Sequence, residues 1–211
     1  MIEIIYLFLI FIFSYFVGSF PTAYFVTKKF TGKDIRKEGT GNVGAMNVSR
    51  ATGKFSLFLL VLVGDVSKGA LPVYFVKKYF NFNGHSLAAI TLCAFGIVLG
   101  HCFSIYFKIK DGKFSGGKAI ASMAGILGVL NFWWLFLPSL FICVIYILVS
   151  GYLFLGQFMA NLFMPFIAYL FDVKYFPLCL LCSIPIFLKQ KSRFIPMLKG
   201  KEPKWYYKER K

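Results

Sequence analysis

The chain alternates long apolar runs with short polar, basic stretches. Ile4–Thr27 is the first run, long enough to cross a hydrocarbon core of about 30 Å at about 1.5 Å per residue. Gly18, Ser19 and Pro21 interrupt it. Met1–Val26 carries Glu3 where a secretory leader would be basic and has no small-residue cleavage site before Lys28, so it reads as a retained first span. A polar loop, Lys28–Lys54, follows. Phe55–Phe75 is a second run with Asp65 and Lys68 three apart on one face, and Lys77–Gly84 is a short turn. Ser86–Phe107 is a third run, and Lys108–Lys118 a second polar, glycine-rich loop. From Ala119 to Leu188 only Asp172 and Lys174 are charged. Both ends of that stretch belong to the same side, so it holds an even number of crossings. Four are expected, breaking near Asn131–Trp134, Ser150–Gly151 and Asp172–Lys174. A basic tail, Lys189–Lys211, ends the chain. The pattern predicts an all-α, polytopic membrane helical bundle in one domain. About seven transmembrane helices are expected, with five as the alternative.

Composition agrees. Of 211 residues 58% are hydrophobic and 20% aromatic, more apolar surface than a soluble domain of this size needs. Charge then sets the orientation. The chain carries 24 Lys and Arg against eight Asp and Glu. Seven of the basic residues fall in Lys28–Lys54, four in Lys108–Lys118 and nine in the tail. The positive-inside rule makes that side cytoplasmic and puts the N-terminus outside. Basic residues scattered among short loops do not suit nucleic acid; anionic lipid or small anionic substrates fit better. The five cysteines lie in apolar runs and read as packed thiols.

Gly39–Lys54, GTGNVGAMNVSRATGK, is the densest polar stretch. Gly39, Gly41 and Gly44 permit a backbone nest of N–H groups, Asn42 and Asn47 add amides, and Arg50 adds a guanidinium fork. The second loop offers Gly116-Gly117-Lys118 just before an apolar helix, a second anion cradle. Gly112–Lys118 imitates most of a nucleotide-binding P-loop. Ala119 stands at the magnesium-binding hydroxyl position and no buried strand precedes it, so that reading fails. Asp65 and Lys68 are costly in lipid, about 2.5–3.5 kcal/mol each, and are expected to pair facing the bundle interior. Lys68 then either serves that pair alone or helps hold an anion. His101, near the inner end of the third span, reads as a packing hydrogen bonder or a site residue. No nucleophile–base set and no metal cluster is evident, and no cofactor is implied.

These residues resemble the bacterial acyl-phosphate:glycerol-3-phosphate acyltransferases. Gly18–Tyr24 is similar to that family's opening G-S-x-P-T-A-Y. Asp34–Lys37 with Gly39–Arg50 is similar to its first motif, and Asp65, Lys68-Gly69 and Pro72 to its D-x-x-K-G-x-x-P. Gly100-His101 with Phe114–Ser122 resembles its second motif. The third motif is altered: Lys189-Gln190-Lys191 stands for R-H-R, and Arg193 for an Asn. Met46 replaces a Thr, and Ala119 a Gly. The resemblance implies a bacterial inner-membrane enzyme that forms lysophosphatidic acid from glycerol 3-phosphate and acyl phosphate by direct transfer, without an acyl-enzyme. Asn47, Arg50, Lys118 and Gln190 are implied as catalytic. Thr40, Gly41, Asn42, Lys68, His101, Gly116, Gly117, Ser122 and Arg193 are implied to bind substrate, with N–H groups coming from the glycines. It also implies a soluble partner that makes the acyl phosphate, and an acyl chain lying between spans in contact with membrane lipid.

Overall fold

The structure is a computed structural model that describes residues 2–80, 86–202 and 204. The second half of the expected turn Lys77–Gly84 and most of the tail past 202 lie outside the described residues. The chain divides into two compact units, 1–131 and 132–211.

The first unit begins with α1 (Ile2–Ser19) and α2 (Thr22–Thr31), one apolar run broken at Pro21. Proline has no N–H and disfavours helix at the residue before it, so the run cannot pass through unbroken. A 3₁₀ turn (Ile35–Lys37) and α3 (Ala45–Thr52) occupy what reads from sequence as loop. Then come α4 (Phe55–Tyr79), α5 (Ser86–Cys102), α6 (Ile105–Asp111) and α7 (Ile120–Val129). The expected third span, Ser86–Phe107, is therefore two helices parted at Phe103-Ser104.

Small residues set the helix spacing. Gly96 and Gly100, one turn apart on α5, lie against the α1 backbone, where added side chains would meet Phe11 and Tyr15 carbonyls; Gly18 returns the contact against Ile97. On α4, Gly69 lies on the Ser122 carbonyl of α7, and Gly125 of α7 on Val66 of α4. Such seams let backbones approach closely in lipid, where van der Waals packing holds helices together. Around the first half of α4, Leu57 and Val61 form a core with Ala23, Ile35, Val43, Val48 and Phe107. The loop helices are thus packed rather than tethered.

The second unit holds α8 (Trp133–Ser150), α9 (Leu153–Phe171), a 3₁₀ turn (Val173–Tyr175), α10 (Phe176–Gln190), a second 3₁₀ turn (Lys191–Arg193) and α11 (Phe194–Leu198). The breaks fall where expected. Gly151, left-handed at φ 75°, ends α8, and Asp172 accepts the Lys174 N–H to start the 3₁₀ turn. Asn161 and Ser183 exchange hydrogen bonds of 3.3 and 3.2 Å between α9 and α10. Cys179 and Cys182 are buried.

Five helical stretches among the described residues are long and apolar enough to cross a bilayer: Ile2–Thr31, Phe55–Tyr79, Trp133–Ser150, Leu153–Phe171 and Val173–Leu198. The helices Ser86–Cys102 and Ile120–Val129, with 17 and 10 residues, are shorter. Ten residues rise about 15 Å, half the apolar thickness. By length and composition alone, five stretches among the described residues reach the spanning criterion, the alternative count, and the two shorter apolar helices are what a count of seven would add.

Candidate functional site

The first glycine-rich loop is organised by Asn47, in the first turn of α3 and 1% exposed. Its Oδ1 accepts the Thr40 N–H at 2.8 Å and the Thr40 hydroxyl at 3.1 Å. Its Nδ2 donates to the Ile35 and Glu38 carbonyls at 3.2 and 3.0 Å. An amide side chain has two donors and two acceptor positions, and all four are engaged. Asn47 therefore shapes the loop. Gly39 sits directly over it at φ 53°, where a side chain would collide with Oδ1. Gly41 turns left-handed at φ 70° and donates its N–H to the Glu38 carbonyl at 2.9 Å. The Gly41 N–H, expected as a ligand donor, is held by the loop itself.

Asn42 is half-buried, and the chain then straightens through Gly44 into α3. Met46 and Arg50, one turn apart, are exposed on α3. Met46 brings a thioether to this rim, where a hydroxyl at the same place would have offered a hydrogen bond.

The second loop folds back onto the end of α5. Gly117 donates its N–H to the His101 carbonyl at 3.0 Å, and a side chain on Gly117 would strike His101 Nε2 and the Val43 carbonyl. His101, 6% exposed, has its Nδ1 3.0 Å from the hydroxyl of fully buried Ser122. The structure thus brings His101, Gly117 and Ser122 together. As with Gly41, the Gly117 N–H secures the fold of its own loop. Gly116 packs under the His101 and Cys102 carbonyls. Lys118 follows, half-buried, and Ala119 takes a left-handed φ of 56° before α7 begins. A helix, α6, precedes this loop, which suits the exclusion of a P-loop.

Asp65 and Lys68 pair at 2.8 Å with side chains 4% and 9% exposed. Lys68 Nζ also donates to the Phe20 carbonyl at 3.0 Å, at the break between α1 and α2. The lysine thus satisfies a backbone group beside Pro21, as intramembrane breaks require. Pro72, inside α4, withdraws the N–H that would reach the Lys68 carbonyl. Beside them opens a cleft of about 770 Å³ between α1 and α4, with Leu9, Phe13, Val17, Leu71 and Phe75 on its walls and Lys68 in its lining.

Sequence reasoning passed over two supports. Arg36 forks onto Asp34, with Nε to Oδ1 at 3.0 Å and a terminal nitrogen to Oδ2 at 2.6 Å, and pairs with Asp111 of α6. Its guanidinium lies 5.2 Å from the Tyr24 ring and 4.5 Å from Phe107. The Arg36 hydrogen bond holds the Asp34 carboxyl below the usual carboxylate range, and Asp34 and Asp111 hold the guanidinium charged. Ser104 is the second: its hydroxyl donates to the Ser19 carbonyl at 2.5 Å and its N–H to Ser115 at 2.9 Å. Ser104 gives no sequence signal beyond its place at a helix break.

In the second unit, Gln190 is fully buried at the end of α10, and neither amide atom has a hydrogen-bond partner among the described residues. Arg193 pairs with buried Glu202 at 2.7 Å.

Apolar helices, two basic glycine-rich loops and an apolar cleft lined in part by Lys68 define a multi-pass membrane protein. The comparisons sharpen that class. A model of the glycerol-3-phosphate acyltransferase family matches residues 8–200. The glycerol-3-phosphate acyltransferase of Lawsonia intracellularis is 33% identical over 183 residues, covering 84% of this chain and 85% of that one. That of Carboxydothermus hydrogenoformans is 33% identical over 175 residues, covering 82% and 83%. The crystal structure of PlsY (YgiH), an integral membrane glycerol 3-phosphate acyltransferase, in its glycerol 3-phosphate form superposes with a TM-score of 0.79 at 26% identity, covering 94% of this chain and 95% of that one. Its lysophosphatidic acid form gives 0.77 at 25% identity, covering 94% of each. The chain belongs to the glycerol-3-phosphate acyltransferase family.

Proposed function

We propose that this protein transfers an acyl group from acyl phosphate to the sn-1 hydroxyl of glycerol 3-phosphate, giving lysophosphatidic acid and inorganic phosphate. The observation that carries the reading is the 770 Å³ apolar cleft of α1 and α4 with Lys68 in its lining, in the same unit as the two glycine-rich loops. A fatty acyl chain fits such a cleft, and its phosphate end calls for cations. The relatives named for glycerol-3-phosphate acyl transfer support the acceptor.

The chemistry asks little of a protein base. The acceptor hydroxyl attacks the acyl carbonyl, the new ester C–O bond forms, and the acyl–phosphate C–O bond breaks. The hydroxyl proton passes to a phosphate oxygen. Acyl phosphate is a mixed anhydride with a good leaving group, so no acyl-enzyme is required. The protein must hold two like-charged phosphates together and align hydroxyl with carbonyl. Arg50 and Lys118 take the phosphate charges, with Asn42 as a hydrogen-bonding group; the Thr40 N–H and hydroxyl, both donating to Asn47, belong to the frame of the loop. Asn47 maintains the first loop, and His101 with Ser122 the second. Lys68 steadies the acyl phosphate end at the cleft. The site faces the cytoplasm of a bacterial inner membrane, where a soluble enzyme supplies acyl phosphate.

Met46, Ala119 and Gln190 depart from the family pattern inside its motifs and favour a second reading, an altered acceptor. One assay separates the two. Purified protein in lipid receives palmitoyl phosphate and radiolabelled glycerol 3-phosphate, with Arg50→Ala and Lys118→Ala alongside. Labelled lysophosphatidic acid from wild type, reduced about 100-fold or more in both variants, is the expected result. Phosphate release that does not depend on glycerol 3-phosphate, with no labelled lipid, would replace this reading with the second.

A further inference from the structure

The outer face of α2 and α6 has no place in acyl transfer. Tyr24 joins the two helices: its ring meets Phe107 edge-on at 5.5 Å and lies 4.3 Å from Lys110 Nζ. Ala23 and Thr27 of α2 and Phe107 of α6 are buried inward. Outward, bulky apolar side chains alternate with lysines. Phe25, Tyr106 and Ile109 are 48%, 41% and 78% exposed. Phe20 links the rings, stacked on Phe25 at 5.0 Å and edge-on to Tyr106 at 6.2 Å. Lys28, Lys29, Lys108 and Lys113 are exposed among them.

A face with this much exposed ring and aliphatic surface is unsuited to water alone. A face with this many ammonium groups is unsuited to acyl tails. The two properties coincide at a membrane interface, where apolar side chains enter the headgroup boundary and ammonium groups meet headgroup phosphate. Position agrees, because α2 leaves α1 across Pro21 and α6 leaves α5 across Phe103-Ser104. The neighbouring carboxylates are already engaged: Asp34 and Asp111 on Arg36, and Glu38 on Lys33 at 3.4 Å. The face therefore presents an excess of positive charge.

We infer that the α2–α6 face is a docking surface for the headgroups of anionic phospholipids. It stands apart from the acyl-transfer site and does not depend on that reading.

The test titrates phosphatidylglycerol, and separately phosphatidylcholine, onto the full-length protein in detergent and counts bound lipid by mass spectrometry of the intact protein. Wild type is expected to retain phosphatidylglycerol in preference. The triple variant K29Q/K108Q/K113Q is expected to weaken that binding at least tenfold, each lysine near a charged surface counting for up to about fivefold. The matching Lys→Arg triple keeps the charge and is expected to retain the lipid, which separates lost charge from lost fold. Equal retention by the glutamine triple overturns the inference and points to an acidic protein as the partner of this face. Loss of the lipid only in Arg50→Ala and Lys118→Ala also overturns it, by assigning the lipid to the glycine-rich loops.

Discussion

Asn47 grips Thr40 twice, taking both its backbone N–H and its hydroxyl on one amide oxygen, at 2.8 and 3.1 Å. The other end of the amide holds the Ile35 and Glu38 carbonyls, so one buried side chain fixes the whole turn. Asn47→Ala should lower stability by about 2–4 kcal/mol, because buried partners lose their hydrogen bonds. Asn47→Asp should be at least as damaging, since a carboxylate would face two carbonyl oxygens. Thermal unfolding in detergent reads both, and an unchanged midpoint in either variant would refute the fastening role.

Lys68 is predicted to matter first through Asp65. Removing the ammonium alone, as in Lys68→Met, leaves a buried carboxylate unpaired, at a cost of about 3–5 kcal/mol. The double variant Asp65→Asn/Lys68→Met removes both charges and should recover part of that loss. A double-mutant cycle on unfolding free energies measures the coupling, and additivity would exclude it.

Ala119 occupies a left-handed backbone conformation, φ 56°, while 1% exposed. For a residue with a Cβ that geometry costs roughly 1–2 kcal/mol. Glycine relieves it, against about 0.5–1 kcal/mol of added chain entropy. Ala119→Gly should therefore stabilise the protein by up to about 1 kcal/mol, read as a raised melting temperature. A lowered one would show that the methyl contributes more by packing than it costs in strain.

Gln190 buries an amide without hydrogen-bond partners among the described residues. Gln190→Leu, similar in size and apolar, should gain about 1–3 kcal/mol of stability. If Gln190 serves substrate, activity must fall as stability rises. Parallel melting and turnover measurements decide, and a variant with both properties unchanged removes Gln190 from the site.

The Asp34–Arg36 fork sets a pH dependence. Its hydrogen bond lowers the folded-state pKa of Asp34. A lowered carboxyl contributes stability above its unfolded value, near 4, and loses it as pH falls through the folded value. Wild type should therefore exceed Asp34→Asn in melting temperature from pH 5 to 7, the gap closing below about pH 4. A gap that widens in acid would reverse the assignment.

The helix breaks near Asn131, Gly151 and Asp172 were legible because glycine, asparagine and charge interrupt otherwise unbroken apolar runs. Arg50 and Lys118 were legible as cations in glycine-rich loops. The partners of Asn47 were not, because Ile35 and Glu38 bind it through backbone carbonyls that every residue possesses. The engaged N–H groups of Gly41 and Gly117 were hidden for the same reason. α3 and α6 went unread because helices this short draw their stability from packing, α3 on α4 and α6 on α1 and Tyr24 of α2, not from local pattern. Arg36 looked like one more cytoplasmic charge until Asp111, 75 residues away, came to meet it.

The cleft between α1 and α4 changes how the reaction is to be measured. On the proposed reading the acyl donor lies in this cleft and is drawn from the bilayer by two-dimensional diffusion, so its effective concentration is a mole fraction of lipid. Rates should follow that fraction at constant total donor, falling as inert lipid or detergent is added. Dependence on glycerol 3-phosphate should follow its bulk molarity. One enzyme then obeys two concentration scales, one set by the plane of the membrane and the other by the water beside it.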